Sequence, residues 1–229
     1  MVKAELVKRS PLRIMEKSTR GGVEAGNIGV IASPRGVGKT ACLVHIATDK
    51  LLQGKHVIHL SFAAKTDHII DWYEAVYKEI ATNRNLESAV EVHDELVKNR
   101  VILNFNQHDV TIDQIEKSIE ALISEGHFAA DLLVIDGYDF DKGSVGTFEA
   151  LKGFAAKHNL TVWATADIEK NTGGIPKELS NFEQVLSVLI DLEDEKNHIK
   201  LNLRKDHDRI VDEDLHLILD SKTLLIAEE

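Results

Sequence analysis

Cysteine is almost absent from this chain, with Cys42 the only one in 229 residues. A lone thiol excludes an intrachain disulfide and the metal frameworks built from paired cysteines. It predicts a protein suited to a reducing compartment. Long apolar runs are missing as well. The stretch Met1-Val-Lys-Ala-Glu-Leu-Val-Lys-Arg9 is broken by charge before a signal-peptide core can develop, and no later run approaches a membrane span. The expectation is a cytoplasmic chain with no membrane segment. Positive charge is also in short supply, the formal net charge being -11. Residues 1–60 carry 10 Lys+Arg against 4 Asp+Glu, residues 61–180 carry 11 against 21, and residues 181–229 carry 6 against 13. Nucleic-acid binding draws most of its non-specific affinity from neutralised phosphates, so an acidic body predicts no DNA-coating role. There is no internal repeat and no low-complexity tract. The length and the 43% hydrophobic content suit one α/β domain with a full core.

What is present is an alternation of strand and helix patterns. A mixed polar leader over residues 1–20 precedes a domain spanning 21–229, opened by the turn-forming Gly21-Gly22 and Gly26. Asn27–Ala32 reads as a buried strand that runs into a glycine-rich loop and then a helix from Thr40 to about Leu52. His56–Phe62 is a second strand. Ile69, Tyr73, Val76, Tyr77 and Ile80 recur at helical spacing, and a further helix covers Leu86 to Lys98. After a third strand, Val101–Phe105, the sequence Thr111-Ile-Asp-Gln114 has the form of a capping box. It opens a helix with Ile112, Ile115, Ile119, Leu122 and Ile123 on one face. Leu132–Asp136 is a buried strand ending in a carboxylate, followed by a helix around Phe148 to His158 and a strand over Leu160–Thr165. Such alternation predicts a mostly parallel sheet with helices on both faces. Val185–Ile190, His198–Leu203 and Leu215–Leu219 have no helix between them, which predicts antiparallel strands extending the sheet.

The chemistry concentrates in Ser33-Pro34-Arg35-Gly36-Val37-Gly38-Lys39-Thr40. This stretch matches G-x-x-x-x-G-K-[ST] with Ser in the first position, between a strand and a helix as that motif requires. Gly36 and Gly38 permit backbone conformations that let successive N–H groups, continued by Ala41 in the helix, point at phosphate oxygens. Lys39 is placed to reach the β and γ phosphates and Thr40 to ligate Mg²⁺. Asp136, at the end of its strand, is the natural carboxylate partner for that metal. The ligand expected is ATP with Mg²⁺.

Together with the loop, Gly21-Gly22, Gly26, Leu60-Ser61-Phe62, Val134-Ile135-Asp136, the run Lys152–Thr165, Leu203–Arg209 and Ile218-Leu219-Asp220 resemble the RecA-like ATPase core of the group containing RecA, the helicase DnaB and the clock protein KaiC. The resemblance covers about Gly21 to the end. It implies a P-loop nucleotide-binding domain that assembles into a ring or filament, or engages a protein partner. It also makes Arg204, Lys205 and Arg209 candidates for trans-acting fingers that stabilise transition-state charge across a subunit boundary. The basic leader and the acidic body could meet head to tail in such an assembly.

Two departures bear on activity. In that group a carboxylate just after the second strand activates the attacking water; here the sequence reads Ser61-Phe62-Ala63-Ala64-Lys65. Loss of a positioned base costs roughly 10²- to 10⁴-fold in rate while binding can persist. Asp67, Asp139 and Asp141 are the substitute acids within reach of a shifted register. The polar residue expected after the fifth strand falls at Ala166, with Asp167 beside it, which weakens coupling of the γ-phosphate to the following loop. The two loops that DNA-handling members use, residues 137–146 and 167–181, each carry one more acid than base and do not read as phosphate-gripping. Gly173-Gly174 marks the second as a switch segment or partner site. Cys42 reads as a packing residue, Trp72, Tyr73 and Tyr77 as helix packing or a subunit contact, and Asp206-His207-Asp208 as too sparse in histidine for a metal site.

Overall fold

The computed structural model describes residues 1–62, 65–170, 173–195 and 198–229. Among these the strands are β1 (Ile28–Ser33), β2 (His56–Ser61), β3 (Arg100–Asn104), β4 (Ala130–Asp136), β5 (Thr161–Asp167), β6 (Val188–Glu195), β7 (His198–Asp206), β8 (Arg209–Leu219) and β9 (Ile226–Glu228). They form one sheet in the order β3-β2-β4-β5-β1-β6-β7-β8-β9. The pairs from β3 through β6 are parallel, and those from β6 to β9 are antiparallel.

Alternation of side chains sorts the strands between two cores. Ile31, Val57, Leu132, Val134 and Trp163 face one, and Ile28, Val30, Ile58, Leu60, Leu133 and Ile135 face the other. The first core lies under α1 (Lys3–Lys8), α2 (Leu12–Ser18), α3 (Lys39–Leu52), α4 (Thr66–Asn83) and α5 (Ala89–Lys98). The second lies under α6 (Ile112–Ser124), α7 (Val145–His158) and a 3-10 turn over Lys177–Phe182. The result is an α/β fold with a mostly parallel sheet flanked by helices and a C-terminal antiparallel extension. In α3 only Thr40 and Lys50 escape burial, because α4 and the leader helices cover the side turned away from the sheet.

Several local expectations have direct counterparts. Thr111 and Gln114 form the reciprocal capping box at the start of α6. Other boundaries move for identifiable reasons. Helix α7 begins at Val145 because the Ser144 hydroxyl accepts from the Thr147 N–H, a cap that lies ahead of the apolar pattern. β6 starts at Val188 and pairs parallel with β1 before it pairs antiparallel with β7, so it belongs to both halves of the sheet.

The leader is two short helices held by tertiary contacts. Leu6, Leu12 and Met15 are buried in the first core, and Arg13 bonds Asp49 of α3. Helices of six or seven residues have no stability of their own, so composition gave them no signature. The leader's basic charge is largely engaged within the chain: Lys3 with Glu95, Arg9 with Glu5, Arg13 with Glu16 and Asp49, and Arg20 with Asp206.

The C-terminal strand is tied back through a buried histidine. The Ile226 N–H donates to His45 Nδ1 at 2.9 Å, so that nitrogen must be unprotonated. Burial pushes His45 down from 6.5 to about 4. An unfolded chain therefore takes up a proton that the folded chain refuses, and stability present near neutrality is lost as pH falls from 6.5 toward about 4. This group should remove about 2–3 kcal/mol of unfolding free energy between about pH 7 and about pH 4.5. In urea titrations across that range the unfolding free energy of the wild type should fall by that much more than that of His45→Asn; parallel pH profiles would contradict the assignment.

Candidate functional site

Parallel strands end on one edge of the layer, and there the chain leaves β1 toward β2 on one side and later returns to β6 on the other. Such a reversal opens a crevice at the carboxyl ends of the strands. A cleft of about 850 Å³ occupies this position. Its lining includes Arg35 to Ala41 of the glycine loop and first turn of α3, Asp136 to Lys142 after β4, Thr165 and Asp167 of β5, His68, Ile69 and Trp72 of α4, and Ile199, Ser221 and Leu224 from the antiparallel end.

The loop conformation depends on its glycines. Gly36 has φ +82°, a conformation that side chains rarely adopt, with open space where a Cβ would stand. Gly38, the N-cap of α3, has φ +124°, and a Cβ on it would lie 2.4 Å from Leu219 Cδ2. No side chain among the described residues caps α3, which leaves the positive end of its backbone dipole facing the cleft.

Lys39 folds back over the loop. Its Nζ lies 2.9 Å from Ser33 O, 3.0 Å from Pro34 O and 2.8 Å from Asp167 Oδ1. The other Asp167 oxygen accepts from Arg35 Nε at 2.7 Å. Burial would raise the Asp167 carboxyl, but hydrogen bonds from Lys39 and Arg35 and their charges outweigh it and hold the group below the ordinary carboxylate range. Ala166 stands where the polar residue was expected, and Asp167 follows it. β5 extends one residue past Ala166, and the in-register pairing of Ser33 with Asp167 sets this carboxylate beside the loop.

Asp136 sits across from Thr40, whose hydroxyl lies 3.1 Å from Oδ2 and 3.3 Å from Oδ1. Thr165 Oγ1 donates to Asp136 Oδ1 at 2.8 Å and accepts from the Gly137 N–H at 3.0 Å, which fixes the carboxylate plane. Burial pushes Asp136 up, against the lowering pull of Thr165, Thr40 and Lys39. A hydroxyl oxygen and a carboxylate side by side form a hard-oxygen donor set of the kind Mg²⁺ takes, usually completed by waters and phosphate oxygens. Sequence pairing of Thr40 with Asp136 thus corresponds to a contact in space.

The loop after β4 is anchored by aromatic packing. Tyr138 and Phe140 are buried against Phe148, with ring centroids 5.1 Å and 4.8 Å away. Gln107 closes it from the side, exchanging hydrogen bonds with the backbone of Asp139 at 2.9 Å and 2.7 Å. Asp139 and Asp141 consequently line the cleft, whereas Asp67 is exposed outside its lining. Asp139 receives Lys142 Nζ at 2.9 Å and the N–H groups of Asp141 and Lys142 at 3.1 Å and 3.3 Å. The Lys142 hydrogen bond is the main cause holding its carboxyl low. Ala63 and Ala64, where the expected base is missing from the sequence, lie outside the described residues.

The remaining candidates lie elsewhere. None of Arg204, Lys205 and Arg209 lines the cleft. Arg204 is buried between Asp191 and Asp212 and is engaged within the chain. Lys205 is also buried, while Arg209 is exposed near Asp206 and Glu213 at the β7–β8 turn. Tyr73 and Tyr77 are buried in packing, but Trp72 is half-buried and faces the cleft, a placement that helical spacing alone could not give. Cys42 is buried, with its thiol pushed up to about 12, and is a packing residue. His207 pairs with Asp206, which also holds Arg20. Among the described residues no helix is long and apolar enough to cross a membrane.

No protein-family profile matches the chain, and no curated protein matches its sequence. The functional reading rests on the residues themselves.

Gly38→Ala tests the loop geometry. The added methyl meets both an unfavourable φ and the Leu219 side chain, and should cost about 1–3 kcal/mol in a denaturant titration. Unchanged stability would mean that the loop does not need this conformation.

Proposed function

We propose that the cleft binds a nucleoside triphosphate, ATP with Mg²⁺, in a RecA-like P-loop domain that hydrolyses it slowly or only with a partner. The observation that carries the reading is the convergence of Lys39, Thr40 and Asp136 at the uncapped N-terminus of α3. An uncapped helix start behind a glycine loop attracts anions through its backbone N–H groups and dipole. Thr40 and Asp136 would hold Mg²⁺, which when bound supplies charge neutralisation for the phosphate oxygens. Lys39 supplies a fixed positive charge on the same side.

The cleft also has an apolar component. Val37, Trp72, Ile199 and Leu224 contribute apolar side chains to its lining, and His68 packs against Trp72 in a T-shaped contact at a centroid distance of 6.3 Å. A flat heteroaromatic base suits such a surface, and a charged phosphate chain does not. The presence of apolar lining beside the charged groups favours a nucleotide over inorganic polyphosphate.

Two of the acids at hand favour slow turnover. A general base works best with its pKa near the operating pH. Asp139 and Asp167 are both held low by cations, and the sequence has alanine at 63 and 64. These same features favour, as a second reading, a sensor that binds ATP and changes contacts without hydrolysis.

Steady-state turnover with Mg²⁺ across protein concentrations, beside a direct titration, separates the two readings. The expected outcome is ATP binding that Lys39→Ala weakens at least roughly tenfold, the loss of about one charge-assisted contact. Turnover should lie roughly 10²- to 10⁴-fold below that of an enzyme with a positioned base. Binding with no turnover above the Lys39→Ala background leaves the sensor, and no binding at all overturns both.

A further inference from the structure

The ammonium of Lys39 has three N–H donors. Its Nζ has four oxygen neighbours: Ser33 O at 2.9 Å, Ser33 Oγ at 3.3 Å, Pro34 O at 3.0 Å and Asp167 Oδ1 at 2.8 Å. No donor is left over for a phosphate oxygen, so one neighbour must give way before Lys39 can engage one. The two carbonyls are fixed in the loop backbone, and the Ser33 side chain is buried. Asp167 is the neighbour that can leave, because its side chain is 48% exposed and can rotate into solvent. Its main chain stays put: Ser33 pairs with Asp167 across β1 and β5, and the Ile168 N–H donates to Ser33 O at 3.2 Å. Arg35, bonded to the second oxygen of the same carboxylate, is 86% exposed and free to turn toward a new anion.

We propose that Asp167 is an internal counter-anion of the phosphate site, occupying Lys39 and Arg35 until the polyphosphate of an incoming nucleotide displaces it. This rests on the nucleotide reading and adds a regulatory contact to it. The physical need is evident in the burial of Lys39, whose side chain is 9% exposed. A nearly buried ammonium without a negative partner is costly, and Asp167 keeps it neutralised before the phosphates arrive. Exchange of one anion for another never leaves Lys39 unpaired. The consequence is lower affinity than the loop alone would give, since each binding event must break two ion pairs. Affinity then depends on anything that draws Asp167 away.

Calorimetric titration of the full chain with Mg²⁺-tripolyphosphate and with Mg²⁺-ATP, using wild type, Asp167→Asn and Asp167→Glu, tests this. Asp167→Asn preserves shape and removes the charge. It should bind both ligands roughly 3- to 10-fold more tightly, in proportion to partly exposed ion pairs, while Asp167→Glu stays within about twofold of wild type. A gain with tripolyphosphate, which has no base, assigns the effect to the phosphate end. Thermal melts supply a second readout. Asp167→Asn should melt below wild type without ligand, and the deficit should vanish at saturating Mg²⁺-tripolyphosphate; an ion pair with a purely structural role would leave the deficit in both conditions. Equal or weaker binding by Asp167→Asn, with wild-type binding intact, overturns the proposal and leaves the nucleotide reading standing. Absence of binding by all three chains removes both.

Discussion

The position of β5 between β1 and β4 is the constraint on which the site depends. It sets the ends of three strands side by side, so that the loop after β1, Asp136 of β4 and both Thr165 and Asp167 of β5 meet at one edge of the sheet. Thr165 bridges the arrangement by orienting Asp136, and Asp167 faces the loop two residues further along the same strand. Side chains one apart in a strand point to opposite faces, and those two apart share one, so a single strand can serve two neighbours from one face. A one-residue slip of β5 would exchange Asp167 for Ala166 and leave Lys39 without its carboxylate.

Electrostatics then shape the cleft. Cations and carboxylates are paired along its lining, with Asp167 and Asp139 held below the ordinary range by their lysine and arginine partners while burial pushes Asp136 the other way. Carboxylates held low are poor bases. The same pairing that keeps the site stable before nucleotide arrives therefore works against rapid hydrolysis in the account proposed here.

Much of the fold was legible from periodicity. The buried parallel strands and the amphipathic helices α4 and α6 carry their patterns openly, and the capping box at Thr111 is local chemistry that needs no tertiary context. The loop and Asp136 were legible because each occupies a strand end. What escaped was whatever depends on packing. The leader helices are too short to stand alone, β9 is three residues tied to His45, and the burial of Arg204 follows from carboxylates on two other strands. Asp167 was in plain view beside Ala166, but its partner could be assigned only once the register of β1 and β5 was known. Trp72 differs from Tyr73 by one helical step of about 100°, enough to exchange the core for the cleft.

In the proposed function, backbone N–H groups of the loop and the start of α3 hold a triphosphate. Hydrogen exchange of the full chain with and without Mg²⁺-ATP reads those amides directly. Slowed exchange is expected chiefly in residues 35–41, with the sheet interior unchanged. Saturating Mg²⁺-ATP that leaves exchange in residues 35–41 unaltered would contradict it.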